Sequence, residues 1–167
     1  SLRKPDMNKW MFFGALLYLG LSGCASRGCD VSTVGSGCRT DYLLYQNDML
    51  QAKWIINERR QDSYELASAL LNRAAREDKT GEAEFYQAVL LLRLNAENSQ
   101  VKGLLQDSAD RKYPLAIALL AQMSGSVDQE KARAYRVKYD QLDVAKSGYP
   151  SFPQAIAVVN QLISPSN

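Results

Sequence analysis

The sequence predicts an all-α domain: short antiparallel helix hairpins stacked as a small solenoid, preceded by a flexible N-terminal tether. Three observations lead there. Ala and Leu are abundant and β-branched runs are few, a composition that suits helices better than a sheet. Apolar residues recur at intervals of three and four from Tyr42 onward. The stretch Ala67-Ser-Ala-Leu-Leu-Asn-Arg-Ala-Ala75 returns 34 residues later as Val101-Lys-Gly-Leu-Leu-Gln-Asp-Ser-Ala109.

The first 23 residues read in three parts: a basic start containing Lys9, an apolar stretch from Trp10 to Gly20, and small residues at Ser22-Gly23. A membrane-spanning helix needs about 20 apolar residues, so this shorter stretch suits a secretory leader that is cut away. Residues 1–6, ahead of Met7, read as an upstream extension.

Leu21-Ser22-Gly23-Cys24 closes that leader and resembles the lipobox of bacterial lipoproteins at all four positions. The resemblance implies cleavage before Cys24 and diacylation of its thiol, often with a third chain on the new amino terminus. One acyl chain holds a protein only reversibly, whereas two or three make release rare. Ala25-Ser26, with no Asp after the cysteine, resembles the sorting pattern that Gram-negative lipoproteins use for the outer membrane. The implied address is the bacterial envelope, on an outer membrane and facing the periplasm.

From Cys24 to Thr40 the chain is small, polar and without apolar periodicity, which reads as a lipidated tether. With Cys24 carrying lipid, Cys29 and Cys38 remain as a pair in an oxidising compartment. A bridge between them would contribute on the order of 2 to 3 kcal/mol and would order the tether more than the core; two reduced thiols are the alternative. Zinc is a poor reading, because two thiols in a chain without His lack a four-ligand set.

Residues 41–167 form the expected helical domain. Tyr42, Leu43, Tyr45, Met49, Leu50, Trp54 and Ile55 mark a first helix ending near Arg60, and Asp62 and Ser63 offer caps for the next. Further helices are expected at about Ser63 to Glu77, Gly81 to Asn95, Ser99 to Arg111, Pro114 to Met123, Asp128 to Lys146 and Pro153 to Ile163. Pro114 and Pro153 stand where a first turn tolerates a missing N–H, and Gly81, Gly125 and Gly148 punctuate the connections. A third, weaker copy of the repeat begins at Ala132.

Leu104-Leu105, Ala109, Tyr113-Pro114, Ala116, Leu120-Ala121, Gly125, Asp128, Lys131-Ala132 and Tyr135 follow the spacing of Sel1-like repeats, relatives of the tetratricopeptide repeat. The resemblance covers residues 63–163. It implies stacked hairpins whose groove holds a peptide or a helix of another protein. The first unit departs from the family in having Asn95 to Asn98 in place of a glycine, and Gly148 to Pro153 lengthens the third, so tetratricopeptide-type or irregular helical packing stays open.

Charge and chemistry exclude several classes. Without the leader's Arg3, Lys4, Lys9 and Asp6, residues 24–167 hold 17 basic and 17 acidic side chains, with no basic cluster to follow a phosphate backbone. The absence of His removes the commonest general base and the usual triads. Glu82 and Glu84 mimic a glycosidase dyad only in spacing; on a helix they point apart and read as a solvated face. The aromatic sets Tyr42, Tyr45, Trp54 and Tyr135, Tyr139 read as core.

The expectation is therefore a protein that is not an enzyme, with no metal, no cofactor beyond the lipid on Cys24, and no nucleic-acid or small-molecule partner. Its expected role is an adaptor or assembly factor binding the proteins of an envelope machine for secretion, conjugation, pilus formation or polysaccharide export. A regulator or inhibitor of an envelope enzyme or a peptidoglycan-binding protein, and a surface-exclusion or immunity lipoprotein, are the alternatives. Tyr149, Phe152 and Pro153 are the expected partner contacts.

Overall fold

The computed structural model describes residues 37–95, 98–143 and 147–164, and every regular element among them is helical. These are α1 (Gly37–Asn57), a single 3-10 turn (Gln61–Ser63), α2 (Tyr64–Glu77), α3 (Glu82–Arg93), α4 (Asn98–Asp110), α5 (Pro114–Gly125), α6 (Gln129–Gln141) and α7 (Phe152–Ile163). Thr40–Asn167 form one compact unit; the other, Ser1–Arg39, is described only over the opening turn of α1.

The core follows from the apolar pattern. The sequence of α5, Pro-Leu-Ala-Ile-Ala-Leu-Leu-Ala, is apolar on every side, and such a helix belongs in an interior. Pro114 and all residues from Ala116 to Ala121 are buried there. α3 is buried almost as completely, at Ala83 to Tyr86 and at Ala88 to Leu90. α2 packs on α3, α3 on α4, α4 on α5 and α5 on α6, while α7 turns back over α5 and α3.

The 34-residue offset corresponds to equivalent positions in adjacent hairpins. Ala67 and Val101 are both fully buried, as are Leu71 and Leu105. In α6 the buried residues are Tyr135 and Tyr139, which stand a further 34 residues on from Val101 and Leu105. The third copy thus keeps the period, and it does not start early at Ala132. Aromatic rings in place of small and branched side chains are what weaken its sequence signature.

Two boundaries differ from expectation. α1 opens at Gly37, four residues before Asp41, because Gly37, Arg39 and Thr40 give the helix no apolar position by which to announce itself. α6 ends at Gln141, where Leu142 turns to an extended conformation with ψ 135°. Tyr42 and Trp54, expected in the core, are half exposed, because Met49, Ala52, Ile55 and Ile56 form the inner face of α1.

Polar side chains fasten the hairpins together. The carboxylate of Asp78, after α2, accepts from Thr80 N–H (2.8 Å), Thr80 Oγ1 (2.8 Å), Ala83 N–H (3.0 Å) and the Tyr45 hydroxyl (3.1 Å). Through Ala83 it satisfies one of the orphan donors at the start of α3. Asp48, buried on α1, receives Nε and Nη2 of Arg73 at 2.6 Å each, a two-pronged pair joining α1 to α2.

Candidate functional site

The third hairpin does not close like the other two. A longer connection, from Leu142 to Ser151, separates α6 from α7, and α7 is held over α5 and α3 instead of along α6. Three side chains do the holding. Arg59, past the end of α1, donates to the carbonyls of Ser164 (2.7 Å) and Gln161 (3.0 Å), and Arg93 of α3 donates to the carbonyl of Leu162 (2.7 Å). Arg93 also donates to the Ile56 carbonyl and to the Tyr64 hydroxyl (3.0 Å). The last carbonyls of α7 lack intrahelical partners, and the helix has no basic residue in its own last turn; two guanidiniums from elsewhere supply what is missing. Gln122 of α5 further donates to the side chain of Asn160.

An open, shallow cleft of about 330 Å³ is left between α6 and α7, with α5 as its floor. Ala121 of α5 and Ala132 of α6 leave the space, since neither side chain can fill it, and Phe152 and Ile156 of α7 make an apolar wall. Arg133 and Arg136 of α6 stand on the rim. The Arg136 guanidinium lies 4.2 Å from the ring centre of Phe152 and its Nε is 3.2 Å from Asp140. An exposed i,i+4 pair of this kind is worth only a few tenths of a kcal/mol, so the guanidinium remains available to another carboxylate.

The expected contacts divide at this cleft. Phe152 lines it, half buried, with its ring edge-on to Tyr139 at 5.3 Å. Tyr149 and Pro153 are exposed and do not line it. The Tyr139 hydroxyl donates to the Pro150 carbonyl, which ties the connection to α6, and burial raises the pKa of that phenol. Reading the sequence did not single out Ile156, Arg133 or Arg136; the heightened apolar content of Ala155 to Val159 was the signal for the first, and nothing in spacing marked the arginines. Cys24 and Cys29 lie outside the described residues. Cys38 stands in the first turn of α1, and its side chain lies outside them as well.

Glu82 and Glu84 are not one solvated face. Glu82 pairs with Lys53 of α1 at 2.7 Å, and Glu84 is buried, with Oε1 2.8 Å from Nη1 of Arg111 and Oε2 without a hydrogen bond. Burial pushes the Glu84 carboxyl above its ordinary value, partly opposed by Arg111 and reinforced by the neighbouring Asp78 charge. At Asp78 burial acts in the same direction, but the hydrogen bonds from Thr80, Ala83 and Tyr45 prevail and hold its carboxyl low. Asp78 thus ties the α2–α3 turn to α1 through Tyr45, and Glu84 ties α3 to Arg111, just past α4. No group of three or more potential metal-ligating side chains is present among the described residues, and no described helix is long and apolar enough to cross a membrane.

Fold and cleft together define a small helical repeat-like domain with one open side. Compared with protein-family models, with curated proteins and with solved structures, the chain gives no match.

Proposed function

We propose that this protein is a lipid-anchored, non-enzymatic adaptor of the bacterial envelope that binds a segment of another protein in the cleft between α6 and α7. The observation that carries the reading is the pairing of an apolar lining, Ala121, Ala132, Phe152 and Ile156, with an arginine rim, Arg133 and Arg136. An extended or helical segment with apolar anchors and flanking carboxylates is its chemical complement. The lipobox-like Leu21 to Cys24 supports the anchor, and the 34-residue period supports the Sel1-like or tetratricopeptide-like kinship. The partner belongs to an assembly such as a secretion, conjugation, pilus or polysaccharide-export machine.

A photo-crosslinking residue at position 133, in the full chain in its native membrane, tests the reading. The expected result is the same small set of envelope proteins in stable proportion, lost when Ile156→Asp puts a charge into the cleft and kept when the exposed Val127 is changed. Capture of a single enzyme, or of peptidoglycan alone, would move the function to a regulator. Acyl labelling of a Cys24→Ser variant tests the anchor independently, since retained label would refute it.

A further inference from the structure

α1 has a second apolar face. Leu43, Leu50 and Trp54, spaced by seven and four residues, share one side of the helix and are 55%, 69% and 52% exposed. Asp48, Ala52 and Ile56 occupy the opposite, buried side. Arg39, Gln46 and Asn47 lie beside the stripe within the helix, whereas the acids Asp41 and Asp48 fall on the far side. At its end the Arg60 guanidinium sits 4.9 Å from the Trp54 ring centre.

We infer that this face of α1 rests on the surface of the bilayer to which Cys24 is anchored. The inference rests on the lipoprotein reading given above. Cys24 stands 13 residues before Gly37. Such a segment reaches at most about 45 Å. The lipid therefore holds α1 within range of the headgroups at an effective concentration in the millimolar range or above. Three large apolar side chains are too few to bind a free protein to membrane, but under that tethering they suffice. A leucine stripe flanked by amides, ending in Trp beside Arg, has the make-up of an interfacial helix: indole at headgroup level, guanidinium toward phosphate. With α1 lying flat, the adaptor presents a fixed side to the periplasm.

Trp54 is the only tryptophan from Cys24 to the end of the chain, and it reports its own surroundings. The acylated protein is extracted in detergent and reconstituted into vesicles of phosphatidylethanolamine and phosphatidylglycerol with brominated acyl chains, and an intact mass is recorded on the same sample. The expected result is a Cys24 carrying lipid, blue-shifted Trp54 emission, and quenching that roughly halves it, as for a helix at the acyl boundary. Leu50→Glu, at an exposed position, should restore the emission of water-exposed indole with acylation and helicity unchanged. Acylated protein with unquenched, water-exposed Trp54 overturns the inference and leaves the anchor standing. Unmodified Cys24 overturns both. A photo-crosslinker at position 50 that captures a polypeptide in place of phospholipid overturns it in favour of a protein partner.

Discussion

At Gly81 two demands meet on one residue. Its φ of +84° is a conformation that L side chains rarely adopt, and a Cβ there would stand 2.7 Å from the Ser108 carbonyl oxygen. Ser108, fully buried on α4, donates its hydroxyl to the Gly81 carbonyl at 2.6 Å, so the backbone of one hairpin's turn lies directly against the next hairpin. Gly81→Ala is therefore expected to cost roughly 2–4 kcal/mol, from left-handed strain and overpacking together. Ser108→Ala, which removes only the hydrogen bond, should cost about 1 kcal/mol. Urea unfolding of the two variants measures both, and equal losses would show that the close approach is unimportant. Glu84 provides a prediction in pH. Its folded carboxyl titrates above its ordinary value, so the stability it contributes is complete below that ordinary value and fades as pH rises through the folded one. Glu84→Gln fixes the neutral form. The stability of the variant relative to the parent should accordingly be higher at about pH 7 than at about pH 4; a difference that does not move with pH would place the carboxyl in water.

At the scale of the element, helix ends decide how much could be read. Arg59, Asn95 and Lys112, none of them glycine, take left-handed conformations at φ 56°, 55° and 65°, just beyond α1, α3 and α4. The stop signal of the first unit is thus Asn95, in the role that glycine plays in the repeats it resembles. Lys112→Gly should stabilise the domain by about 0.5–1 kcal/mol, because relief of left-handed strain outweighs the added backbone freedom; thermal melts will show the sign. The helix periods and the middle hairpins were legible because α2 and α4 bury one regular set of positions each and α5 is apolar throughout. α1 was legible only as a helix: its apolar residues line two faces, and spacing alone does not tell Ile56, inside, from Leu50, outside. The cleft was harder still. Phe152 stood out as an aromatic at a turn, but the floor comes from Ala121 and Ala132, and small residues register in sequence as nothing more than close packing.

Across the whole molecule, the return of α7 makes the domain behave as one unit and not as a stack of independent repeats. An open solenoid frays from its ends, since each unit touches only its neighbours. Here Arg93 grips carbonyls from α1 and α7 and the hydroxyl of Tyr64, the first residue of α2. Arg93→Met should cost roughly 2–4 kcal/mol, as several acceptors lose a charged donor at once. Unfolding followed by Trp54 emission and by far-ultraviolet dichroism should coincide in the parent protein; an earlier Trp54 transition would mean that α1 detaches alone.

The same return imposes an order in time. The hydrogen bonds from Arg59 to Ser164 and Gln161 bridge 105 and 102 positions, and that from Arg93 to Leu162 bridges 69. Hairpins such as α2–α3 close over short loops and form early, whereas these bonds must wait for loop closure across most of the domain. A chain that emerges amino terminus first, from a ribosome or through a membrane pore, has nothing for Arg59 to hold until the final turn of α7 is out. Until then it is a row of unlatched hairpins with the apolar flank of α5 bare, and its maturation is timed by the emergence of α7.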